Sequence, residues 1–231
     1  MEVSLPSVLT KESWFYEQNK KLCEPHLGKP YISNSTMESW YEYKEDFIKE
    51  KMCGIKTPRK IYAEFGSWVG TAIENGFFAE TSEFGGQNNL VLSKERLKGA
   101  EYEKMILIDR GSYVILGFID RFLRLPCGGV EIKDYKTGGK EKESKYTSDD
   151  YVQVILYAYA LELLGEKIKS TNISFIRREG YHKKLPLIIS KEQFIIPLEY
   201  NEERVKFALT KVDVAVKEIS EFKTIFDKYF V

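Results

Sequence analysis

Hydrophobic residues in the middle of this chain recur with a period of two. Over residues 112–125 they fill both phases of the alternation, with Val114, Leu116 and Phe118 on one and Ile115, Ile119 and Leu123 on the other. A strand apolar on both faces is expected to be central in a sheet and covered on both sides. Residues 130–136 have the same strand character, and Pro126-Cys127-Gly128-Gly129 between the two runs is a turn signal. Residues 105–109 predict an earlier strand that turns at Arg110-Gly111. Helical spacing dominates before these strands. It predicts a short helix over residues 9–21, a second from an N-cap at Ser35 to about Met52 with Gly54 as its stop, and a third over residues 59–80 behind Pro58. Residues 85–89 read as a loop, and so does the polar stretch 138–148. A helix follows over residues 149–164, closed by Gly165. Strands are expected at 173–177, 185–189 and 194–198, and Asn201 opens a long final helix. The order predicts a mixed α/β fold, a hairpin-rich sheet with helices packed on it.

The hairpin brings charged residues together. If it is centred on Cys127, Asp120 lies opposite Asp134, and opposed residues share a face with Cβ atoms about 4.5–5.5 Å apart. Lys136, two positions beyond Asp134, points to that face as well. Two facing acids repel, and a divalent cation between them removes the repulsion. An ion pair from Asp120 to Lys136 is the structural alternative, since a carboxylate in so apolar a strand needs a partner. Arg121 is the poorer partner, because neighbouring strand residues face opposite ways. Gly66, Gly70, Ile73, Glu74 and Phe77 form one helical stripe, and its two glycines would let the helix backbone come close to another element. Glu74 would then supply a third acid; the alternative leaves it in water at the edge of the stripe. Gln153 and Tyr157, four apart, share a helix face and could position Lys136 or a phosphate. Oxygen ligands of this kind select Mg²⁺ or Mn²⁺. Such ions beside a lysine suit phosphodiester hydrolysis, which needs no covalent nucleophile.

Composition narrows this picture. The 231 residues carry 35 basic and 35 acidic side chains, so no overall positive field draws in a polyanion. Local basic groups exist at Lys133, Lys136, Lys140, Lys142 and Lys145, and at Arg177, Arg178, His182, Lys183 and Lys184; solvated loop faces are the plain reading of each. There is no GxxxxGK[ST] loop and no HExxH, and His26 and His182 stand isolated. Cys23, Cys53 and Cys127 lack the spacing of a zinc site or a disulfide framework. Without a signal-like N-terminus or a run of about 18 apolar residues, a cytoplasmic protein that does not enter the membrane is expected.

Three motifs now resemble the RecB-type branch of the PD-(D/E)XK nuclease superfamily. Gly117-Phe118-Ile119-Asp120-Arg121 resembles its G-x-I-D-R strand, Asp134-Tyr135-Lys136-Thr137-Gly138 its D-Y-K-T-G strand end, and Gln153 with Tyr157 its Q-x-x-x-Y helix. The likeness spans about residues 66–164, and Ile32-Ser33-Asn34-Ser35 resembles the entry to the family's first helix. It implies a restriction-endonuclease-like core in a single nuclease domain, with a helical region to residue 58, a core over 59–178 and a closing strand and helix over 179–231. It further implies Asp120, Asp134 and the Tyr135 carbonyl as metal ligands, Lys136 as the catalytic lysine, and Gln153, Tyr157, Arg121 and Thr137 as support for the site or for DNA. Glu74 stands where many relatives carry histidine. Some relatives hold a [4Fe–4S] cluster on four cysteines; Tyr43 takes the place of the first and no cysteine follows Cys127, so no iron–sulfur cluster is expected. The resemblance implies a Mg²⁺- or Mn²⁺-dependent exonuclease on linear or single-stranded DNA, in phage or bacterial DNA repair or recombination, with a recombinase, helicase or single-strand-binding protein as a further partner. The alternatives are a structure-specific endonuclease using the same site and an inactive module that binds DNA ends or a protein.

Overall fold

The computed structural model describes residues 29–56, 58, 61–75, 97–179 and 188–230. The expectations for residues 9–21 and 85–89, and for the ends of the helix over 59–80, lie outside them. The strands are β1 (Tyr31–Ile32), β2 (Glu101–Asp109), β3 (Val114–Arg124), β4 (Val130–Gly138), β5 (Ile168–Glu179) and β6 (Ile188–Leu198). The helices are α1 (Asn34–Glu42), α2 (Lys44–Phe47), α3 (Ile61–Asn75), α4 (Glu143–Thr147), α5 (Gln153–Leu163) and α6 (Glu202–Phe230). The strands form one mixed sheet in the order β1-β3-β4-β5-β6, with β2 also paired to β3. β3 is thus interior, and most of its residues are buried on both faces, as its double apolar phase predicts.

Registers follow from turn chemistry. β3 and β4 pair antiparallel with Arg121 opposite Lys133 and Arg124 opposite Val130, which is the register centred on Cys127. Gly128 and Gly129 of that turn have φ of 83° and 88°, a conformation that costs glycine little. β4 and β5 are parallel, with Asp134 beside Ile173 and Lys136 beside Phe175. A parallel pair requires a crossover, and α4 and α5 lie in it.

Contacts divide the chain into two compact units: Met1–Thr57 with Met105–Gly117 and Val205–Val231, and Pro58–Lys104 with Phe118–Arg204. In the first unit, β1 runs parallel to the start of β3, with Tyr31 beside Val114. Its core places Trp40 of α1 edge-on to Phe47 and Phe222 at ring separations of 5.4 and 5.5 Å. The Trp40 indole donates to Glu218 at 2.8 Å. Ala208, Val212, Ala215, Val216 and Ile219 form the buried stripe of α6 at helical spacing.

In the second unit, Phe65, Val69, Ala72 and Ile73 of α3 pack on Tyr135, Ile176 and Ile189 of the sheet. Seven of the eleven residues of α5 are buried, from Val154 round to Leu161. A helix apolar on every side is one enclosed by its unit.

Several boundaries differ from expectation. The first of the described helices is capped by Ser33, whose Oγ accepts from Thr36 N at 3.2 Å, and not by Ser35. Three successive cap-forming residues, Ser33-Asn34-Ser35, make the choice ambiguous from sequence. That helix also breaks at Tyr43 and continues as α2 and a π-helical turn, Ile48–Met52. β2 begins four residues before the expected strand, and the stretch read as a loop over 138–148 contains a 3₁₀ turn, Lys140–Lys142, and α4. The separate strands at 185–189 and 194–198 are one strand over its described part, Ile188–Leu198. Asn201 opens α6 as expected, its Oδ1 accepting from Arg204 N at 2.9 Å.

Candidate active site

The candidate site belongs to the second unit, around the ends of β3 and β4. The paired stretch ends at Arg121 and Lys133. One step further in that register sets Asp120 opposite Asp134, and the strands part there. Tyr135 N, freed from the ladder, donates to Asp120 Oδ2 at 2.6 Å. Asp134 is fully buried, at 0 % exposure. Lys136 Nζ lies 2.9 Å from Asp134 Oδ2 and 3.2 Å from Oδ1. The two aspartates and the lysine therefore converge, but the lysine's ion pair is with Asp134, where the sequence alternative paired it with Asp120.

The Q-x-x-x-Y helix joins this group. Gln153 Nε2 donates to the Tyr157 hydroxyl at 2.6 Å. Between Gln153 and Asp134 stands Tyr151, whose hydroxyl is 2.8 Å from Gln153 Oε1 and 3.0 Å from Asp134 Oδ2. Sequence reading passed over Tyr151. Its only signal is its place just ahead of the crossover helix, two residues before Gln153.

Other expected residues are placed elsewhere. Arg121 is 3 % exposed and ion-pairs with Glu131. As the strand neighbour of Asp120 it faces the other side of the sheet. Thr137 faces α3: a Cβ on Gly66 would stand 3.2 Å from its Oγ1, so the helix comes as close here as the glycine stripe predicts. A Cβ on Gly70 would meet nothing within 4 Å. The buried stripe of α3 runs through Phe65, Val69, Ala72 and Ile73, and Glu74 is exposed beside it. Arg177 lies over the Phe194 ring at 4.2 Å and donates to Glu143 from Nε at 3.0 Å. Arg178 lies over the Tyr62 ring at 3.4 Å.

A further acid, Glu103 of β2, senses this cluster. It has φ of 49°, a left-handed conformation that non-glycine residues seldom adopt. Glu103 is exposed, yet burial by nearby protein, followed by the charges of Glu74 and Asp134, raises its carboxyl above the ordinary range. Residues 101–104 are mostly polar, so the alternation predicts a strand only from Met105 and leaves this position out.

Burial, then the charge of Asp134, pushes Asp120 well above the usual carboxylate value. Burial alone would lower Lys136, but Asp134 and Asp120 more than reverse that and hold its ammonium above its usual value. Tyr157 is also raised, by burial and then by the two aspartates. Asp120 is thus disfavoured as an anion beside Asp134, and a divalent cation would offset that. The donors, carboxylate and carbonyl oxygens, are those of a hard ion. Asp120, Asp134 and the Tyr135 carbonyl thus fit one chemically. Among the described residues, no three His, Cys, Asp or Glu side chains are grouped closely enough to hold a metal as they stand. Glu74 in particular does not complete a triad with the aspartates.

Comparison with known proteins agrees with this architecture. A family model for the PD-(D/E)XK nuclease superfamily matches residues 40–225. An exonuclease candidate from Eubacterium rectale superposes with a TM-score of 0.53 at 16% identity, over 96% of this chain and 87% of its own. Two weaker likenesses, each with a TM-score of 0.42, are SSO0001 (18% identity, 88% of this chain and 87% of its own) and LHK-Exo in complex with dAMP (10% identity, 90% and 96%). The search of curated proteins gave no match. No helix among the described residues is long and apolar enough to cross a membrane. With a mixed sheet flanked by helices and a family match over most of its length, the chain belongs to the PD-(D/E)XK nuclease superfamily.

Proposed function

We propose that the protein is a divalent-metal-dependent DNA exonuclease acting on linear or single-stranded DNA, with a role in phage or bacterial DNA repair or recombination. The observation that carries this reading is the convergence of Asp120, Asp134 and Lys136 at the parted ends of β3 and β4, in a member of a nuclease superfamily. Asp120, Asp134 and the Tyr135 carbonyl would hold Mg²⁺ or Mn²⁺, with Glu74 or Glu103 approaching from α3 or β2. When bound, the ion supplies positive charge against the scissile phosphate and helps activate the attacking water.

The chain's own groups do the rest. Lys136 stays protonated at neutral pH, because its neighbours hold its ammonium above the usual value. Its ammonium would donate hydrogen bonds and offset charge on the phosphoryl oxygens. Tyr157 likewise keeps its proton. Gln153 links Tyr157 to Tyr151 and so fixes α5 against the acid–lysine strand.

Purified protein should degrade linear DNA with Mg²⁺ or Mn²⁺, and Lys136→Ala and Asp120→Ala should not. Full activity in either variant contradicts the assignment. Closed circular DNA separates exonuclease from endonuclease, since only the latter can begin on it.

A further inference from the structure

We infer that Tyr151 is a positioning residue of this centre: its phenol holds one oxygen of Asp134 and leaves the other to face a bound divalent cation. The inference deepens the reading above and rests on it.

The two oxygens of Asp134 are not equivalent. Oδ2 meets the Tyr151 hydroxyl at 3.0 Å and Lys136 Nζ at 2.9 Å. Oδ1 takes the longer Lys136 contact, at 3.2 Å. Oδ2 thus faces two donors and Oδ1 accepts from one, so Oδ1 keeps the greater lone-pair capacity for a ligand. Without the phenol, the carboxylate could rotate about its χ2 torsion, which is broad for aspartate.

The phenol is itself held. Its single proton has two acceptors in reach, Asp134 Oδ2 and Gln153 Oε1 at 2.8 Å. A half-turn of the Gln153 amide exchanges its oxygen and nitrogen. Tyr157 then donates to Gln153 Oε1, Gln153 Nε2 donates to Tyr151, and the Tyr151 proton goes wholly to Asp134. In that arrangement the donors run in one direction from α5 to β4, each polarising the next. Packing alone does not account for a tyrosine here. The residue is 4 % exposed and edge-on to Tyr146 at 5.3 Å, an environment that phenylalanine would fill equally well. A hydroxyl buried so deeply is costly unless it is used.

The test is a calorimetric titration of the full chain and of Tyr151→Phe with MnCl₂, beside thermal melting without metal. Partners that orient a metal ligand are typically worth about 10–100-fold in affinity. The expected result is Mn²⁺ binding by the wild type, with binding by Tyr151→Phe weaker by about tenfold or more. The metal-free melting temperature should fall only modestly, because the ring remains and the loss is one hydrogen bond. A purely structural tyrosine would lower melting and leave affinity alone. Equal affinity in the two proteins overturns the inference. Failure of the wild type to bind Mn²⁺ overturns the reading of the centre itself. If the variant does not fold, a Mg²⁺ titration of wild-type protein labelled throughout its tyrosines and read at Cζ takes its place. The Tyr151 resonance, one of fifteen and assigned by through-bond correlation to its own backbone amide, should move as the ion saturates; a stationary resonance overturns the inference.

Discussion

Each unit carries a polar cluster, and the two are balanced in opposite ways. In the first unit Asp213 is surrounded by donors: Arg110 reaches it from Nη2 at 2.6 Å and from Nε at 3.3 Å, and the Tyr113 hydroxyl donates to it as well. One acid meets one cation and one phenol, and the charges close. In the second unit Asp120, Asp134 and Glu103 influence one another, and Lys136 is the cation that acts on all three. Negative charge is in excess there. The donors of the second cluster, the Tyr135 N–H, Lys136 and Tyr151, are shared among acids that sit close to one another, and burial with the neighbouring charge of Asp134 raises Asp120.

That contrast can be broken by substitution. The largest effect is expected for Lys136→Ala and Asp134→Asn, which should lower DNA degradation by about 1,000-fold or more, since losing even one pre-placed charge or donor at a reacting centre costs about 100–1,000-fold. A timed digestion of end-labelled linear DNA reads it. Next comes Asp213→Ala, which strands Arg110 and Tyr113. It should destabilise by about 1 kcal/mol, at the low end for lost partners because the group is part-exposed, and leave Mn²⁺ affinity unchanged. Chemical denaturation and a Mn²⁺ titration check the two halves of that statement.

Asp120→Asn should act in the opposite sense on stability. Each unit by which a carboxyl is raised reflects about 1.4 kcal/mol of penalty on its charged form. The amide keeps an oxygen to accept from Tyr135 N while removing the charge. Metal-free protein should therefore melt at a higher temperature than the wild type and lose the extra stabilisation that Mn²⁺ gives. A loss of stability would mean that Asp120 is a structural acid like Asp213. The smallest effect is expected for Glu103→Gln. Its carboxyl is exposed, so metal-free melting should rise by less than with Asp120→Asn, and Mn²⁺ affinity should fall by less than about tenfold.

The site was legible in the sequence where turn chemistry fixed the register. Pro126 to Gly129 sets the hairpin, the hairpin sets Asp120 against Asp134, and a period of two sets Lys136 on the same face. Residues that depend on longer connections were less legible. Glu74 follows from helical spacing alone, and spacing could not say whether it fell on the buried stripe of α3 or just outside it. Glu103 lies in a polar stretch with a left-handed backbone, and neither its strand nor its nearness to Asp134 leaves a periodic mark. Tyr151 precedes its helix, so no helical spacing ties it to Gln153. Its link to Asp134 arises because β4 and β5 run parallel and the crossover between them returns the chain past the end of β4.

We propose that Asp120, Asp134 and Lys136 form a hydrolytic metal centre. The most direct measurement is digestion of linear DNA by the purified chain with Mg²⁺, with EDTA, and with Lys136→Ala in Mg²⁺, each protein first shown to be folded. The DNA should be degraded in the first case and intact in the other two. Degradation that survives either chelation or the loss of Lys136 would contradict it.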